Sequence, residues 1–578
     1  MSRLRGSRLL VVVALVCGLV VVRPSTGSAA PAPWTHFEMA DGTKIAAAVR
    51  YPKGFRAGSG RRLPVLFSMD GYAAGGSEGI DPASFGNRYI TVYASIRGTG
   101  CSGGAFNLFD RRHSEDGYEI VANHLPRLAG STGDVGIIGH SYPGLTGWLT
   151  ASTNPPNLKA IAISGLIDDL YRGIVYPGGV PNYGFPLIWT GAYRPGVEVA
   201  GNAGRYIDET ANGDATCASN LAMRPTHAHE TLNSVLENPI VHGGTSLEDG
   251  SWWRLRSTVT WINGIRKPIH ITQQFQDEQT GPRGGHVLFQ RLGERVPKRL
   301  VLTNGVHSTT SVAHNDRLAW LDCYILEERS QCARVADRDR RVNLLVDTTS
   351  GNAVPAGEFD YTTSDWPAPE TRWTRYYLHA DGSLGTSAIP GEAPRSFVYT
   401  PTGRHITADA GGLSPTGLDE VVGTATFGDG PDVLRYELPF KQDTAIAGPI
   451  NLTLTASSTA VNTDFFVDVL DVAPNGDVHY LQRGMQRASH HEIDRHPSRT
   501  DYTKAGDVYR AWHPHTNTVT KLLTPTVPKQ FEVEVFPIGH VFRRGHKLRL
   551  QIHSPPALDP LSVYAWVSNL PPAVNTVY

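Results

Sequence analysis

The sequence has little that points to nucleic acid, to a membrane surface or to a bound metal. Over 578 residues the acidic and basic side chains nearly balance, with a formal net charge of −1, and Lys and Arg form no long run. A nucleic-acid interface needs clustered positive charge, and a metal site of the common kind needs CxxC pairs or a His-rich cluster. The sequence therefore predicts no nucleic-acid partner and no metal.

Only one apolar run is long enough to suggest a membrane, and it lies at the start of the chain. Residues 9–22 are largely apolar, follow three arginines, and precede the small residues Ser28, Ala29 and Ala30. The run is shorter than the roughly 20 residues of a spanning helix, and the pattern is typical of a cleaved secretory signal. We expect residues 1–30 to be removed, the mature net charge to be −5 and the protein to be secreted, with an uncleaved anchor as the alternative.

Cysteine is scarce, with five residues in the chain, four of which remain after residue 30. In an oxidising compartment an even number favours disulfides. Cys323 and Cys332 are close in sequence at the end of a predicted helix, so we favour a bridge between them. That pairing leaves Cys101 with Cys217. The alternative is that some of the four are buried free thiols.

Up to about residue 340, short β-branched runs alternate with stretches of helical spacing, which indicates an α/β fold. Residues 181–255 interrupt this alternation with clustered Gly, Pro and Asn, which indicates an inserted cap. Beyond residue 340 the helical spacing fades, and short strands separated by turn residues predict a β-sandwich or jelly roll. The predicted domains are 31–180 and 256–338 for the two parts of the α/β domain, 181–255 for the cap and 339–578 for the jelly roll.

A serine nucleophile is predicted from its structural context rather than from a motif. Strict G-x-S-x-G matches at residues 75–79 and 100–104 lie in glycine-rich loops with no helix directly after them. An exposed nucleophile needs a strand, a sharp turn and an immediate helix, so that backbone N–H groups point at the oxyanion. Residues 134–144 supply that succession and select Ser141, with Pro143 acceptable in the first helical turn.

A serine hydroxyl needs a base, and the base needs a carboxylate that fixes its tautomer. The α/β-hydrolase triad follows the chain order Ser, acid, His. The predicted partners of Ser141 are therefore Asp277 and His307, each in a loop after one of the last strands predicted for the α/β domain. Alternatives remain open for both roles: His286 and His314 for the base, and Glu278, Asp168 and Asp169 for the acid. For the oxyanion, we predict the backbone N–H of Tyr142 and a donor from the loop that contains Tyr72.

These segments resemble the bacterial cocaine esterase and Xaa-Pro dipeptidyl-peptidase family of serine hydrolases. Residues 97–104 (RGTGCSGG) are similar to its R-G-x-G-x-S-x-G loop, residues 115–118 to the start of its next helix, and residues 139–144 (GHSYPG) to its G-x-S-Y-x-G elbow. The resemblance implies an α/β-hydrolase domain with a C-terminal jelly roll, an acyl-enzyme mechanism without metal or cofactor, and the Tyr72 hydroxyl as the second oxyanion donor. The segments around Asp277 and His307 depart from the family pattern, so the resemblance bears on the nucleophile more directly than on the acid or the substrate.

The resemblance implies that the substrate is a small ester or a short peptide. A dipeptidyl-peptidase must bind an ammonium group with carboxylates, for which Asp168, Asp169 and Glu209 are candidates. An aryl-ester hydrolase needs an aromatic pocket, for which the candidates are Tyr171, Trp189, Trp252 and Trp253. The alternative function is an inactive hydrolase fold whose jelly roll binds carbohydrate or a surface partner.

Overall fold

The computed structural model describes residues 34–56, 58–72, 80–182, 186, 189–190, 213–227, 248–348, 357–401, 430–516, 519–555 and 570–578. The predicted signal peptide, the motif at residues 75–79, Glu209 and much of the predicted cap lie outside these residues. The chain forms two compact units. The first contains Met1–Ile138, Leu149–Lys159 and Leu187–Gly243, and the second contains Gly139–Trp148, Ala160–Pro186 and Gly244–Tyr578.

Ten strands belong to the α/β part of the chain. They are β1 (Thr35–Glu38), β2 (Lys44–Arg50), β3 (Leu63–Asp70), β4 (Ile90–Ser95), β5 (Ser131–His140), β6 (Leu158–Ser164), β7 (Ile269–Gln274), β8 (Lys298–Thr303), β9 (Val342–Val346) and β10 (Phe359–Thr363). In the first unit the strand order is β1-β2-β4-β3-β5, with β3 parallel to both of its neighbours. In the second unit the order is β6-β7-β8-β9-β10, and the first four of these strands are parallel.

Helices connect these strands. Those of the described residues are α1 (Arg111–Glu119), α2 (Tyr142–Ala151), α3 (Ala215–Met223), α4 (Ser251–Arg256), α5 (Gly284–Arg291), α6 (His314–Ile325) and α7 (Arg329–Val335). Strands β3, β7 and β8 are buried along their whole length, as expected for parallel strands covered on both faces. This arrangement confirms the predicted α/β class. None of the helices in the described part of the chain is long and apolar enough to cross a bilayer.

The C-terminal part of the second unit is an eight-stranded antiparallel sheet in the order β13-β22-β15-β20-β17-β16-β21-β14. The strands are β13 (Arg395–Tyr399), β14 (Val433–Pro439), β15 (Thr444–Ser458), β16 (Asp464–Val472), β17 (Val478–Arg487), β20 (Lys529–Phe542), β21 (Lys547–His553) and β22 (Ala573–Val577). The edge strands β13 and β14 contact each other, so the sheet is nearly closed around an apolar interior. Two short hairpins accompany it, β11 (Tyr377–Leu378) with β12 (Leu384–Gly385) and β18 (Asp501–Tyr502) with β19 (Val508–Arg510). An all-β C-terminal domain is thereby confirmed.

Three local features differ from the sequence prediction. Strands β9 and β10 extend the sheet beyond β8, in a stretch that the sequence assigns to the start of the jelly roll. Helical spacing over residues 114–128 predicts one continuous helix, but the chain is α-helical only to Glu119 and then continues as π and 3-10 turns, near Pro126, which has no N–H to donate. Helical spacing over residues 311–328 predicts one helix, and the structure places α6 within that range, whereas α7 begins beyond it at Arg329. The domain boundaries themselves stay predictions.

Both favoured disulfides are present. Cys101 is bonded to Cys217 within the first unit, and Cys323 is bonded to Cys332 within the second. The first bridge ties the loop after β4 to α3, across 116 residues of sequence. The second joins the consecutive helices α6 and α7.

Candidate active site

Ser141 occupies the single position between a strand and a helix. Strand β5 ends at His140 and α2 begins at Tyr142, so the chain must reverse at one residue. Ser141 accordingly has a φ of 63°, a left-handed conformation that is costly for a residue with a side chain. Its N–H donates to the Ser164 carbonyl oxygen over 3.0 Å, and its own carbonyl accepts the N–H of Leu145 at 3.0 Å. The turn thus has the strained geometry of a nucleophile elbow.

The glycines on either side of Ser141 are required by close backbone contacts. A Cβ on Gly139 would lie 2.3 Å from the Pro143 carbonyl oxygen, and one on Gly144 would lie 2.5 Å from the Ser164 carbonyl oxygen. Pro143 occupies the first turn of α2, where a missing N–H costs nothing. Close packing around the turn therefore explains why glycines stand at positions 139 and 144.

Asp277 and His307, which the sequence predicts as acid and base, are hydrogen-bonded to each other. His307 Nδ1 and Asp277 Oδ1 are 2.9 Å apart, and both residues are buried. Asp277 follows β7 and His307 follows β8, two neighbouring parallel strands whose carboxyl ends lie at the same edge of the sheet. The structure therefore joins two residues that are 30 positions apart in sequence.

The Asp277 carboxylate is held by donors on both oxygens. Thr280 donates its N–H to Oδ1 at 3.0 Å and its hydroxyl to Oδ2 at 2.7 Å, and Gln273 Nε2 donates to Oδ2 at 3.0 Å. Burial by itself raises the pKa of Asp277, but the charge of His307 and the hydrogen bonds from His307 and Thr280 outweigh it and lower the pKa below its usual value. Asp277 is therefore a fixed anion facing the imidazole.

The loop that carries His307 is fixed by its own hydrogen bonds. Gly305 has a φ of 116°, and a Cβ there would lie 2.5 Å from Thr309 Oγ1. That hydroxyl accepts the N–H of Val306 at 3.0 Å, while the N–H of Gly305 donates to Gln276 Oε1 at 3.0 Å. The backbone on the amino-terminal side of His307 is thereby held to the Asp277 loop.

His140, for which the sequence offered no role, packs against His307. The centroids of the two rings are 4.5 Å apart with an angle of 38° between their planes. Ser164 Oγ lies 2.9 Å from His140 Nδ1. Burial, followed by the charge of His307, lowers the pKa of His140 to about 3, so the ring is neutral at ordinary pH. The contact places the predicted base beside the residue that precedes Ser141.

The competing acids have other partners. Glu278 accepts the Tyr480 hydroxyl at 2.8 Å and lies 3.2 Å from Arg483 Nη2. Asp168 is paired with Arg283 at 2.9 Å, and Asp169 with Arg172 at 2.8 Å. Asp277, by contrast, is hydrogen-bonded to a histidine.

The competing histidines lie in different surroundings from His307. His286 is fully buried in α5 beside Trp366, and burial, together with the charges of Arg510 and Arg283, lowers its pKa far below the usual value. His314 is the first residue of α6.

The motif match at residues 100–104 has a structural role. Ser102 is fully buried; its hydroxyl donates to the Ser95 carbonyl at 2.7 Å and accepts the N–H of Ala46 at 2.9 Å. In the same loop, Arg97 donates through two nitrogens to both carboxylate oxygens of Asp116, at 2.6 and 2.5 Å. This ion pair fastens the loop to α1 and accounts for the charged residues in that segment.

The two predicted oxyanion donors belong to different units. In the first unit, the Tyr72 hydroxyl oxygen accepts the indole N–H of Trp189 at 3.1 Å, and the Tyr72 N–H donates to Asp70 Oδ1 at 3.2 Å. Asp70 also accepts the Tyr93 hydroxyl. In the second unit, Tyr142 is buried as the first residue of α2. Within the described ranges, no group of three or more His, Cys, Asp or Glu residues is arranged to hold a metal ion.

Comparison with known proteins identifies related families over most of the chain. Residues 41–309 match the family model described as X-Pro dipeptidyl-peptidase (S15 family), and residues 333–557 match the X-Pro dipeptidyl-peptidase C-terminal non-catalytic domain. The chain is 25% identical over 499 residues to the cocaine esterase of Rhodococcus sp. (strain MB1 Bresler), covering 81% of this chain and 80% of the esterase.

Solved structures share the fold. A CocE/NonD family hydrolase from Staphylococcus aureus has a TM-score of 0.70 at 18% identity, covering 94% of this chain and 90% of that one. An aminopeptidase from a marine sediment Thaumarchaeota archaeon has a TM-score of 0.66 at 18% identity, covering 97% and 96%. With the two family models spanning most of its length, the chain belongs to the family of serine hydrolases that contains the X-Pro dipeptidyl-peptidases and cocaine esterase.

Proposed function

We propose that this protein hydrolyses esters through an acyl-enzyme formed on Ser141, with His307 as general base and Asp277 as the carboxylate that orients it. The observation that carries the proposal is the position of the His307 ring. It is hydrogen-bonded to Asp277 at 2.9 Å on one side and packs on His140, the neighbour of Ser141, on the other. The strained turn at Ser141 adds support, because such strain persists where the surrounding structure enforces it.

The chemistry follows from these positions. His307 takes the hydroxyl proton as Ser141 Oγ attacks the substrate carbonyl, and the new imidazolium is stabilised by the Asp277 anion. The tetrahedral oxyanion needs preorganised donors, for which we propose the Tyr142 N–H and, as the family resemblance implies, the Tyr72 hydroxyl. Collapse of this intermediate expels the alcohol, which takes the proton from His307. Water then attacks the acyl-enzyme with His307 again acting as base.

The charged residues near the predicted amine site favour an ester over an X-Pro peptide. A dipeptidyl-peptidase needs carboxylates available to an ammonium group. Asp168 is buried and paired with Arg283, while Arg172, itself buried, bridges Asp169 and Asp249 at 2.8 and 3.0 Å. Diverting either aspartate to a substrate would weaken its pairing with a buried arginine, which is costly. Glu209 lies outside the described residues.

Two of the predicted pocket aromatics are part of the packing. Tyr171 and Trp253 are buried, and their rings meet edge to face at 5.5 Å. Trp189 contacts Tyr72 and stacks on Phe109 at 6.3 Å. Of the four aromatic candidates, Trp189 is the one that the described contacts place against Tyr72, the predicted oxyanion tyrosine.

We also propose that the protein is exported. Support comes from the sequence of residues 1–30 and from the two disulfides, which form and persist in oxidising compartments. Expression of the full chain, followed by N-terminal sequencing of the extracellular protein, tests this directly. A mature terminus at or near Pro31 is the expected result, and an intracellular product that retains Met1 would contradict it.

The function is tested by parallel assays of the purified protein and Ser141→Ala. A short-chain nitrophenyl ester should be hydrolysed far faster than Gly-Pro nitroanilide, and Ser141→Ala should lose both activities. Preferential cleavage of the anilide would replace the esterase assignment with the peptidase, the second candidate. If the wild type turns over neither substrate, and it binds a carbohydrate array as Ser141→Ala does, the result would favour the inactive binding protein.

A further inference from the structure

His140 has contacts that its place in the sequence does not explain. Its ring lies against the His307 ring at 4.5 Å between centroids, and Ser164 Oγ is hydrogen-bonded to its Nδ1 at 2.9 Å. Ser164 thus holds the ring at Nδ1, a hydrogen bond to the His307 backbone also acts on it, and one of its faces is turned to the predicted base. The half-buried His140 ring therefore lies between the end of β6 and the predicted base.

The end of β6 holds both His140 and the serine turn. The Ser164 carbonyl accepts the N–H of Ser141, while its hydroxyl bonds the His140 ring. Gly165 follows with a φ of 62°, and a Cβ there would lie 2.9 Å from His140 Cε1 and 3.0 Å from the Ser141 nitrogen. The two residues Ser164 and Gly165 thus set the position of the ring and of the turn together.

The hydrogen bond from Asp277 does not by itself fix the His307 ring. A single bond at Nδ1 leaves the imidazole able to tilt about that contact, which swings Nε2, the atom that must reach the serine hydroxyl. A flat ring packed on one face limits this tilt. Because the His140 ring stays uncharged, it can limit this tilt without repelling the imidazolium that forms during the reaction. Besides His307, the charged groups that act on His140 are Asp277 and Arg317.

We propose that His140 is a positioning residue, whose ring, anchored by Ser164, is the surface that holds the His307 imidazole at the angle needed for proton transfer. The inference rests on the proposed roles of Ser141 and His307. It adds a residue that does not touch the reacting atoms and that acts through the base. Its signature is a loss in kcat with little change in KM.

The test compares His140→Ala with His140→Phe in the full chain, using a nitrophenyl ester and a fluorophosphonate probe. His140→Ala should lower kcat and the labelling rate by roughly 10 to 100-fold, because small misplacements of a catalytic group are costly, with KM changed by less than about threefold. His140→Phe keeps a flat ring and should stay within about fivefold of wild type. Ser164→Ala, which frees the ring, should fall between them.

A pH profile separates positioning from a general loss of structure. Water that fills the space left in His140→Ala solvates the imidazolium, so the acid limb of kcat/KM should move to higher pH. His491→Ala is the control: it removes a histidine ring that is buried, hydrogen-bonded to a backbone carbonyl and in edge contact with Phe531. The control should leave kcat and the acid limb unchanged.

Each outcome bears on the inference. It is overturned if His140→Ala keeps kcat within twofold of wild type, or if His140→Phe loses as much as His140→Ala at an unchanged melting temperature. Should His140→Ala fail to fold, Ser164→Ala decides: a fall in kcat with KM preserved supports the inference, and wild-type kcat refutes it. Turnover retained by Ser141→Ala would instead remove the proposed function itself.

Discussion

The choice between two adjacent carboxylates gives the sharpest test of the site, because Asp277 and Glu278 are both buried and only their partners differ. Asp277 accepts hydrogen bonds from His307, Thr280 and Gln273. Glu278 faces Tyr480 and Arg483. Asp277→Asn should therefore damage catalysis, whereas Glu278→Gln should damage stability.

The magnitudes follow from these contacts. An amide at position 277 has one acceptor oxygen and an NH₂ group that would face either the Thr280 donors or His307 Nδ1. Binding His307 through the NH₂ selects the tautomer whose Nε2 is protonated and cannot act as base. The equivalent change in Ser-His-Asp proteases lowers kcat by about 10⁴-fold, which corresponds to about 5 kcal/mol of transition-state stabilisation.

Glu278→Gln should behave differently. The glutamine amide oxygen still accepts the Tyr480 hydroxyl, so the loss is the charge opposite Arg483. Breaking a buried ion pair costs about 3 to 5 kcal/mol of stability, while kcat should stay within about threefold of wild type because no contact to His307 changes. Both variants are assayed for kcat and KM on a nitrophenyl ester, and for melting temperature by calorimetry.

A loss of turnover in Glu278→Gln as severe as in Asp277→Asn, at a temperature where both are folded, would refute this assignment. Wild-type turnover by Asp277→Asn would also refute it. Asp168→Asn provides a further control, since its carboxylate is paired with Arg283. That variant should resemble Glu278→Gln.

Three further predictions concern the oxyanion, the disulfides and acid stability. Tyr72→Phe should lower kcat by about 10² to 10³-fold with folding intact, as loss of one oxyanion donor does, and unchanged kcat would remove Tyr72 from that role. Replacing Cys101 and Cys217 by serine should cost about 5 kcal/mol of unfolding free energy in denaturant titrations, against about 2.5 kcal/mol for Cys323 and Cys332, because the closed loops span 116 and 9 residues; equal losses would contradict this. Burial lowers the pKa of both His490 and His513 to about 4, so the unfolded chain binds more protons below pH 6.5 and stability should fall between pH 6.5 and 4, by about 3 kcal/mol per histidine. Calorimetry across that range should show the fall, a melting temperature independent of pH would contradict it, and His490→Gln should reduce the slope.

The sequence was most informative where local constraints coincide. The strand that ends at His140, the glycines at 139 and 144 and the helix that follows are all short-range features, and they select Ser141. Asp277 and His307 could be proposed because each follows a recognisable strand. Their contact is long-range, so the sequence alone left Glu278 and His286 open.

Features that depend on distant partners could not be predicted. The contact of His140 with His307 joins residues far apart in the chain, and neither histidine carries a pattern that reveals it. Likewise, the sequence leaves Asp168 and Asp169 available to a substrate amine, whereas the structure pairs each of them with an arginine. Strand β9 was missed because its residues Val342–Val346 form one short run where the helical spacing had already ended.

The central claim is that Ser141 is the nucleophile, and mapping the site of covalent modification tests it most directly. The purified protein is treated with a fluorophosphonate probe, digested and analysed by mass spectrometry, with Ser141→Ala and His307→Ala in parallel. We predict one adduct on the peptide containing Ser141, none in Ser141→Ala and much slower labelling in His307→Ala. An adduct on another serine, or equal labelling of the wild type and Ser141→Ala, would contradict the account.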